Sequence, residues 1–385
     1  MLKRYNYDER SRNIMKKFGF GLMRLPLLDQ ADTKSVDIET VKKMVDAFLA
    51  TGFSYFDTAA CYHDGQSEIA FREALVKRYP RENFTITDKL TMFMLEKPEE
   101  VPDFFAGQLE RLGVDYIDYY WLHGLDPSSY EKAEAFGAFE FVHKLKAEGK
   151  VHHLGFSFHG DAALLETILT KHPEMEIMQL QLNYLDWDDA QVQSRLCYEV
   201  AARHGKPVVV MEPVKGGALA TIPEPAEKLL KAYNPDASTA SWAVRFAATP
   251  ENIMVVLSGM SSEAQMADNL SYMQDFQPIS AEEQAVIDEA KTIIQQTIAI
   301  PCTACRYCVD GCPQHIAIPD YFGLYNDIKR FGPSQLGNAR HRLGKLAEKN
   351  GKPSDCIRCG VCETRCPQHL IIRDYLEDVA KELEN

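Results

Sequence analysis

Eight of the ten cysteines fall into two copies of one spacing, Cys302-x-x-Cys305-x-x-Cys308-x-x-x-Cys312-Pro313 and Cys356-x-x-Cys359-x-x-Cys362-x-x-x-Cys366-Pro367, both near the C-terminal end. Three thiolates in a short loop wrap three corners of a cubane, while a fourth, set after a wider gap and followed by proline, points away and ligates the other cluster. The spacing therefore predicts two 4Fe-4S clusters with crossed fourth ligands: Cys302, Cys305, Cys308 and Cys366 hold one, and Cys356, Cys359, Cys362 and Cys312 hold the second. The duplication runs past the cysteines, since Cys312-Pro-Gln-His315-Ile-Ala-Ile318-Pro-Asp320-Tyr321 is echoed by Cys366-Pro-Gln-His369-Leu-Ile-Ile372-Arg-Asp374-Tyr375, an internal repeat. Disulfides belong to small secreted domains, and here the thiols cluster in one part of a large chain with no signal-peptide pattern. Zinc closes with four ligands and does not require the wider final gap.

A chain of 385 residues has room for one large domain and a small one, and 45% hydrophobic content is that of an ordinary globular protein. No stretch approaches a membrane span, so neither a membrane nor a secretory route is expected, and thiolate-ligated clusters suit a reducing cytoplasm. The net charge of −14 argues against nucleic acid as a partner. Its distribution is uneven: residues 1–298 carry 30 basic and 45 acidic residues, or −15, which leaves +1 for the rest. In the connector between the two cysteine runs, from 329 to 352, Lys329, Arg330, Arg340, Arg342, Lys345, Lys349 and Lys352 face a lone Glu348.

From Phe18 to about Met273 short apolar runs alternate with longer amphipathic stretches, the pattern of repeated strand–helix units. Eight strands are expected at 18–22, 53–57, 84–88, 116–121, 151–156, 177–182, 207–211 and 253–257. Helices are expected near 39–51, 66–78, 99–111, 130–148, 161–171, 189–204, 237–248 and 262–274. Eight such units in about 250 residues fit an α/β fold, the (β/α)8 TIM barrel. The rival doubly wound sheet would usually carry G-x-G-x-x-G after its first strand, and no such run occurs. Ser280 with Glu283 forms a capping box for one more helix, running to about Ile298. The expected domains are thus a barrel with a trailing helix over 1–298 and a small, mainly α-helical, ferredoxin-like iron–sulfur domain over 299–385. Its middle reads as two helices broken at Phe331-Gly332-Pro333-Ser334, and with no low-complexity linker it should dock on the barrel.

A barrel of this kind reacts at the C-terminal ends of its strands, so polar residues after the apolar runs carry the chemistry. Asp57 and Tyr62 follow the second run in Phe56-Asp57-Thr58-Ala59-Ala60-Cys61-Tyr62, Lys89 follows the third in Ile86-Thr87-Asp88-Lys89, and His123 follows the fourth in Leu122-His123-Gly124. With these motifs in this order, residues 18 to 275 resemble the aldo-keto reductases, and with the cysteine repeat, the subgroup bearing a C-terminal ferredoxin-type domain. The resemblance implies a catalytic tetrad of Asp57, Tyr62, Lys89 and His123. Tyr62 would protonate a carbonyl oxygen as hydride arrives at carbon, Lys89 would lower the phenol's pKa from ~10, Asp57 would hold the lysine, and His123 would orient the carbonyl.

The same resemblance implies NAD(P)H as cofactor, with Ser157 and Gln181 at the carboxamide, Pro213, Lys215 and Gly216 near the phosphates, and Ser261, Ser262, Gln265 and Asn269 at the adenine end. Phe158, Met211 and Glu212 depart from the family pattern, and a carboxylate at 212 is awkward beside a pyrophosphate. The basic residues that pair with a 2'-phosphate are missing, which leaves NADH against NADPH open. Cys61 and Cys197 receive no role, and His159 is weighed as a solvated loop residue rather than part of the mouth.

Hydride transfer moves two electrons together and each cluster passes one. Three functions follow. The chain is a carbonyl reductase with structural or sensing clusters. Alternatively the clusters connect a flavin or substrate to an external carrier, which the basic connector suits because many small carriers are acidic. As a third reading, the barrel is a non-catalytic scaffold for the iron–sulfur module.

Overall fold

The structure, a computed structural model, describes residues 16–30, 32–190, 192–331 and 336–384. Eight strands, β1 (Phe18–Gly21), β2 (Tyr55–Asp57), β3 (Thr85–Leu90), β4 (Ile117–Leu125), β5 (Val151–Phe158), β6 (Ile177–Gln181), β7 (Val208–Met211) and β8 (Ile253–Gly259), pair in parallel with their neighbours. Strand β1 pairs with β2 through Gly21 and Asp57 and with β8 through Gly21 and Gly259, which closes the barrel. Strands covered on both faces read as unbroken apolar runs, which is why the eight were visible in sequence. Tyr55, Tyr119, Trp121, Ile177, Val209, Val255 and Leu257 fill the barrel from within. Thr87 donates its hydroxyl proton to Tyr55 Oη across 2.6 Å in that interior.

The outer ring comprises α1 (Ile38–Ala50), α2 (Gln66–Phe71), α3 (Val101–Leu112), α4 (Pro127–Ala135), α5 (Ala138–Ala147), α6 (Ala162–Lys171), α7 (Ser194–Arg203), α8 (Glu224–Tyr233), α9 (Thr239–Ala248) and α10 (Glu263–Met273). The single helix expected over 130–148 is two, because Gly137 takes a left-handed φ of 64° between α4 and α5. Helix α8 was not expected; Pro223 and Pro225 stand at its start, where proline fits because the N–H groups of the first turn lack intrahelical partners. The 189–204 helix begins only at Ser194.

Helix α11 (Ala281–Gln295) starts at the expected box, with Ser280 Oγ accepting from Glu283 N at 3.2 Å and Ser280 N donating to Glu283 Oε2 at 2.9 Å. A second apolar core, from Ile300 to Leu383, is built by α12 (Ile318–Phe331), α13 (Leu336–Ala347), α14 (Val361–Thr364) and α15 (Ile372–Leu383). The expected break at Gly332–Ser334 lies outside the described residues. Three connector cations turn inward on this segment rather than toward the barrel: Lys329 and Arg340 reach Glu382, and Arg342 reaches Asp327. Among the described residues no helix is long and apolar enough to cross a membrane.

The helical segment sits on the C-terminal mouth of the barrel. Arg24 Nη2 donates to Thr303 O at 2.9 Å, and His369 Nε2 donates to His159 O at 3.1 Å. Tyr307 packs on Phe93 with ring centroids 6.2 Å apart. Gly216 makes the approach possible. A Cβ there would stand 2.2 Å from the Thr303 carbonyl, and its φ of +65° is one that side chains disfavour.

Candidate active site and iron–sulfur ligands

Strands β3 and β4 run further than the apolar runs alone imply, so Lys89 and His123 are strand residues rather than the first residues of loops. Asp57 ends β2, and register brings Lys89 beside Trp121. The Lys89 ammonium is wholly buried and donates to Asp57 Oδ1 and to Thr58 O, each at 2.6 Å. Gln179 Nε2 donates to the other Asp57 oxygen at 3.2 Å. Burial pushes the Asp57 carboxyl up, against the pull of Lys89.

Tyr62 opens a tight turn after β2 in which His63, Asp64 and Gly65 all have positive φ, 52°, 51° and 84°. His63 anchors that strained turn: its Nε2 accepts from Leu25 N at 3.1 Å and its Nδ1 donates to Thr33 O at 2.9 Å. The Tyr62 ring faces Lys89, whose ammonium lies 4.9 Å from the ring centroid, and meets His123 edge-on at 5.9 Å. The expected lowering of the Tyr62 pKa is not what this arrangement produces. Burial drives the phenol well above its ordinary value, with Tyr307 from the iron–sulfur segment and Asp57 pushing the same way. The charge on Lys89 is already engaged by Asp57, and the segment overhead removes water from the phenol.

His123 is held neutral by burial and by Lys89, well below its usual pKa. Its Nδ1 lies 2.9 Å from Thr91 Oγ1, a buried hydroxyl that sequence reasoning did not single out. The hydroxyl has one proton, and of its two acceptors His123 Nδ1 at 2.9 Å is closer than Lys89 O at 3.5 Å; donation across the shorter contact puts the ring proton on Nε2, the nitrogen left to bond a carbonyl oxygen. Thr91→Val removes one neutral hydrogen bond of about 1 kcal/mol, so kcat should fall about fivefold with KM nearly constant. Thr91→Ser should restore it, and unchanged steady-state kinetics in the valine variant would remove Thr91 from this role.

Asp57, Tyr62 and His123 border a cavity of about 310 Å³ at the barrel mouth, within the range of small-ligand sites. Seven of the nine residues read as cofactor contacts line it: Ser157, Gln181, Pro213, Gly216, Ser261, Gln265 and Asn269. Two do not. Lys215 is drawn into a buried ion pair with Asp186 and a 2.9 Å bond to Gln368, so its charge does not face the cavity as expected. Ser262 instead caps α10, its Oγ accepting from Gln265 N at 3.2 Å. Glu212 does line the cavity, with Oε2 buried and unpartnered and its carboxyl pushed up by burial.

His159 is no solvated loop residue: it lines the cavity with Nδ1 buried, and burial lowers its pKa to about 4. Arg24, a strand-end cation after β1, was missed. Sequence reasoning also missed Cys305, Tyr307, Pro367 and Gln368, which bring the cysteine-rich segment into the same cavity wall. Of the unassigned cysteines, Cys197 is buried in α7, and Cys61 Sγ lies 3.9 Å from His123 Nδ1 with its thiol pushed up to about 12.

The other eight cysteines separate into the crossed quartets. Cys302, Cys305, Cys308 and Cys366 line one small cavity, and Cys312, Cys356, Cys359 and Cys362 line another. Burial pushes the Cys302 thiol up to about 11 and Cys305 to about 12, and their quartet mates add to the rise. Among the described residues no three such side chains close on a single ion. Four soft sulfurs spread round a cavity instead fit a polynuclear iron–sulfur group, whose positive charge offsets the cost of buried thiolates.

The aldo/keto reductase family profile matches residues 17–292, and a 4Fe-4S dicluster domain profile matches 301–371. The chain belongs to the aldo/keto reductase family. It is built as a TIM barrel with a C-terminal ferredoxin-type domain. An NADH-specific methylglyoxal reductase of Escherichia coli is 29% identical over 187 residues, covering 44% of this chain and 54% of that protein. A probable aldo-keto reductase of Glycine max is 31% identical over 45% of this chain and 49% of its own. The chain thus spans about half the length of these curated relatives. An aldo-keto reductase from Bacillus halodurans, solved in its holo form, superposes with a TM-score of 0.56 at 26% identity, over 71% of this chain and 91% of that one. A Klebsiella pneumoniae aldo/keto reductase solved with NADP and acetate shares the fold, with a TM-score of 0.55 at 18% identity over 71% and 91%.

Proposed function

We propose that this aldo/keto reductase family member reduces a small-molecule carbonyl, or oxidises the corresponding alcohol, with NAD(P)H as hydride donor and Tyr62 as proton donor. The observation that carries the reading is the shared cavity: Tyr62 and His123 open into it beside Ser157 and Gln181, and it continues to Gln265 and Asn269. A bound nicotinamide would supply hydride to the carbonyl carbon. Tyr62 holds the proton for the oxygen, neutral His123 orients that oxygen, and Lys89 with Asp57 fixes the charge behind the phenol. The proposed domains are 1–298 and 299–385, the second carrying two 4Fe-4S clusters, in a reducing cytoplasm. Anaerobically purified protein should bind NADH or NADPH in calorimetry and oxidise it in the presence of simple aldehydes or ketones. Absence of both overturns the reading.

A second reading is favoured by Cys305 and Tyr307 in the cavity wall: the cluster on the first quartet exchanges single electrons with whatever redox group the cavity holds. An acidic one-electron carrier is its proposed partner, although Lys329, Arg340 and Arg342 are engaged within their own segment. Rapid mixing with substrate, followed by EPR, should then show cluster reduction or oxidation at the rate of turnover. Silent clusters leave the first reading alone.

The crossing of ligands makes its own prediction. Cys366→Ser should remove about half of the iron and the cluster nearest the cavity, since each quartet supplies four of eight thiolates. Iron and sulfide analysis checks it. Loss of the partner cluster instead would mean that each cysteine run is its own ligand set.

A further inference from the structure

Gln368 lies two residues beyond Cys366, a member of the quartet nearest the barrel, and its side chain enters the cavity wall beside Gln181. Both glutamines are only 5% exposed, so their amide groups must be matched by protein or ligand rather than by bulk water. Their orientations are fixed by partners with a single role. The Lys215 ammonium only donates, so the Gln368 atom 2.9 Å away is its oxygen. The Asp186 carboxylate only accepts, so the Gln181 atom 2.8 Å away is its nitrogen.

With both amides oriented, the hydrogen-bond valences can be counted. Gln181 Nε2 spends its two protons on Asp186 and, at 3.1 Å, on Gln368 Oε1. Gln368 Oε1 is filled by Gln181 and Lys215. Gln368 Nε2 gives one proton to Gln181 Oε1 at 2.9 Å and retains another, and Gln181 Oε1 retains one lone pair. One donor and one acceptor therefore stand side by side in the cavity wall. Ser157 Oγ, which accepts from Gly124 N at 2.6 Å, adds a hydroxyl proton from the neighbouring strand. A planar primary amide is the complementary group: its N–H meets Gln181 Oε1 and its C=O meets Gln368 N–H.

We propose that Gln368 is a positioning residue for the nicotinamide carboxamide, forming with Gln181 a two-point amide receptor that spans the barrel and the iron–sulfur segment. The proposal rests on the NAD(P)H reading above and adds to it a residue from outside the barrel. The receptor also joins cofactor binding to the first quartet. Seating a carboxamide on Gln368 restrains the Pro367 turn and Cys366, and by linkage the state of that cluster must then alter cofactor affinity.

The test uses anaerobic holoprotein and two variants, Gln368→Met and Gln368→Glu, with iron content and circular dichroism as controls for folding. Loss of one or two hydrogen bonds should weaken NAD(P)H binding about three- to tenfold in calorimetry. The 3-acetylpyridine analogue, which keeps the C=O that meets Gln368 but lacks the amide N–H that meets Gln181, should bind wild type about that much more weakly and should be weakened further by either variant. In wild type, adding cofactor should also shift the EPR signal of one reduced cluster, and the variants should abolish the shift. If wild type binds NAD(P)H but the variants bind it equally well, or the EPR signal ignores the cofactor, Gln368 has no such role while the reductase reading stands. If wild type binds no NAD(P)H at all, both proposals fall together. Should the variants lose iron, the analogue and EPR comparisons on wild type decide alone.

Discussion

Replacing Tyr62 with phenylalanine should lower kcat for carbonyl reduction by roughly 10²- to 10⁴-fold, the usual contribution of a positioned acid, while leaving cofactor affinity unchanged. The ring keeps its packing against His123 and its place over Lys89, so the loss isolates the phenolic proton. Because burial raises the phenol well above its ordinary value, Tyr62 stays protonated throughout the neutral range. Carbonyl reduction needs that proton and should be nearly flat with pH up to about 9. Alcohol oxidation needs the phenolate, so its rate should climb about tenfold per pH unit over the same span. Steady-state kinetics in both directions check the pair. A phenylalanine variant with wild-type kcat, or an oxidation rate that levels off near neutrality, would show that another group moves the proton.

Lys89→Met should cost about 3–5 kcal/mol of stability, because it strands Asp57 in the barrel interior as a buried charge without its partner. That is a large share of the roughly 5–15 kcal/mol available to a folded protein. The folded Asp57 carboxyl is already pushed up by burial, and without the ammonium it rises further. A folded-state pKa above the unfolded one means that the native protein binds the extra proton. The deficit should therefore be full above that value and shrink as pH falls below it toward the unfolded-state pKa. Denaturation of the anaerobic protein at several pH values measures this, and adding Asp57→Asn should recover most of the loss. A Lys89→Met protein as stable as wild type at neutral pH would mean that water reaches the pair.

The barrel was readable because each parallel strand is covered on both sides and so leaves an apolar run, and because the polar residues proposed to react sit where those runs stop. Asp57, Tyr62, Lys89 and His123 were found that way. The crossed quartets were readable because a wider final gap followed by proline has a geometric meaning of its own. What escaped depends on contacts between distant parts of the chain. Lys215 looks like a free cation in sequence, yet Asp186, 29 residues earlier, claims it. Gln314 and Gln368 occupy equivalent places in the internal repeat. The first lies against Gly351 within its own segment and the second meets the barrel. No local pattern distinguishes them. Tyr62 was expected to be tuned downward because its lysine neighbour was legible and the Tyr307 ring above it was not.

Tyr307, Pro367 and Gln368 turn the barrel mouth from an open bowl into a roofed gallery. In barrels roofed by a swinging loop, the cover can leave without disturbing anything else. Here it is welded to the cysteine-rich core, and lifting it breaks the Arg24–Thr303, Lys215–Gln368 and His159–His369 contacts together. A guest that needs the roof lifted would leave only as often as all three contacts open together.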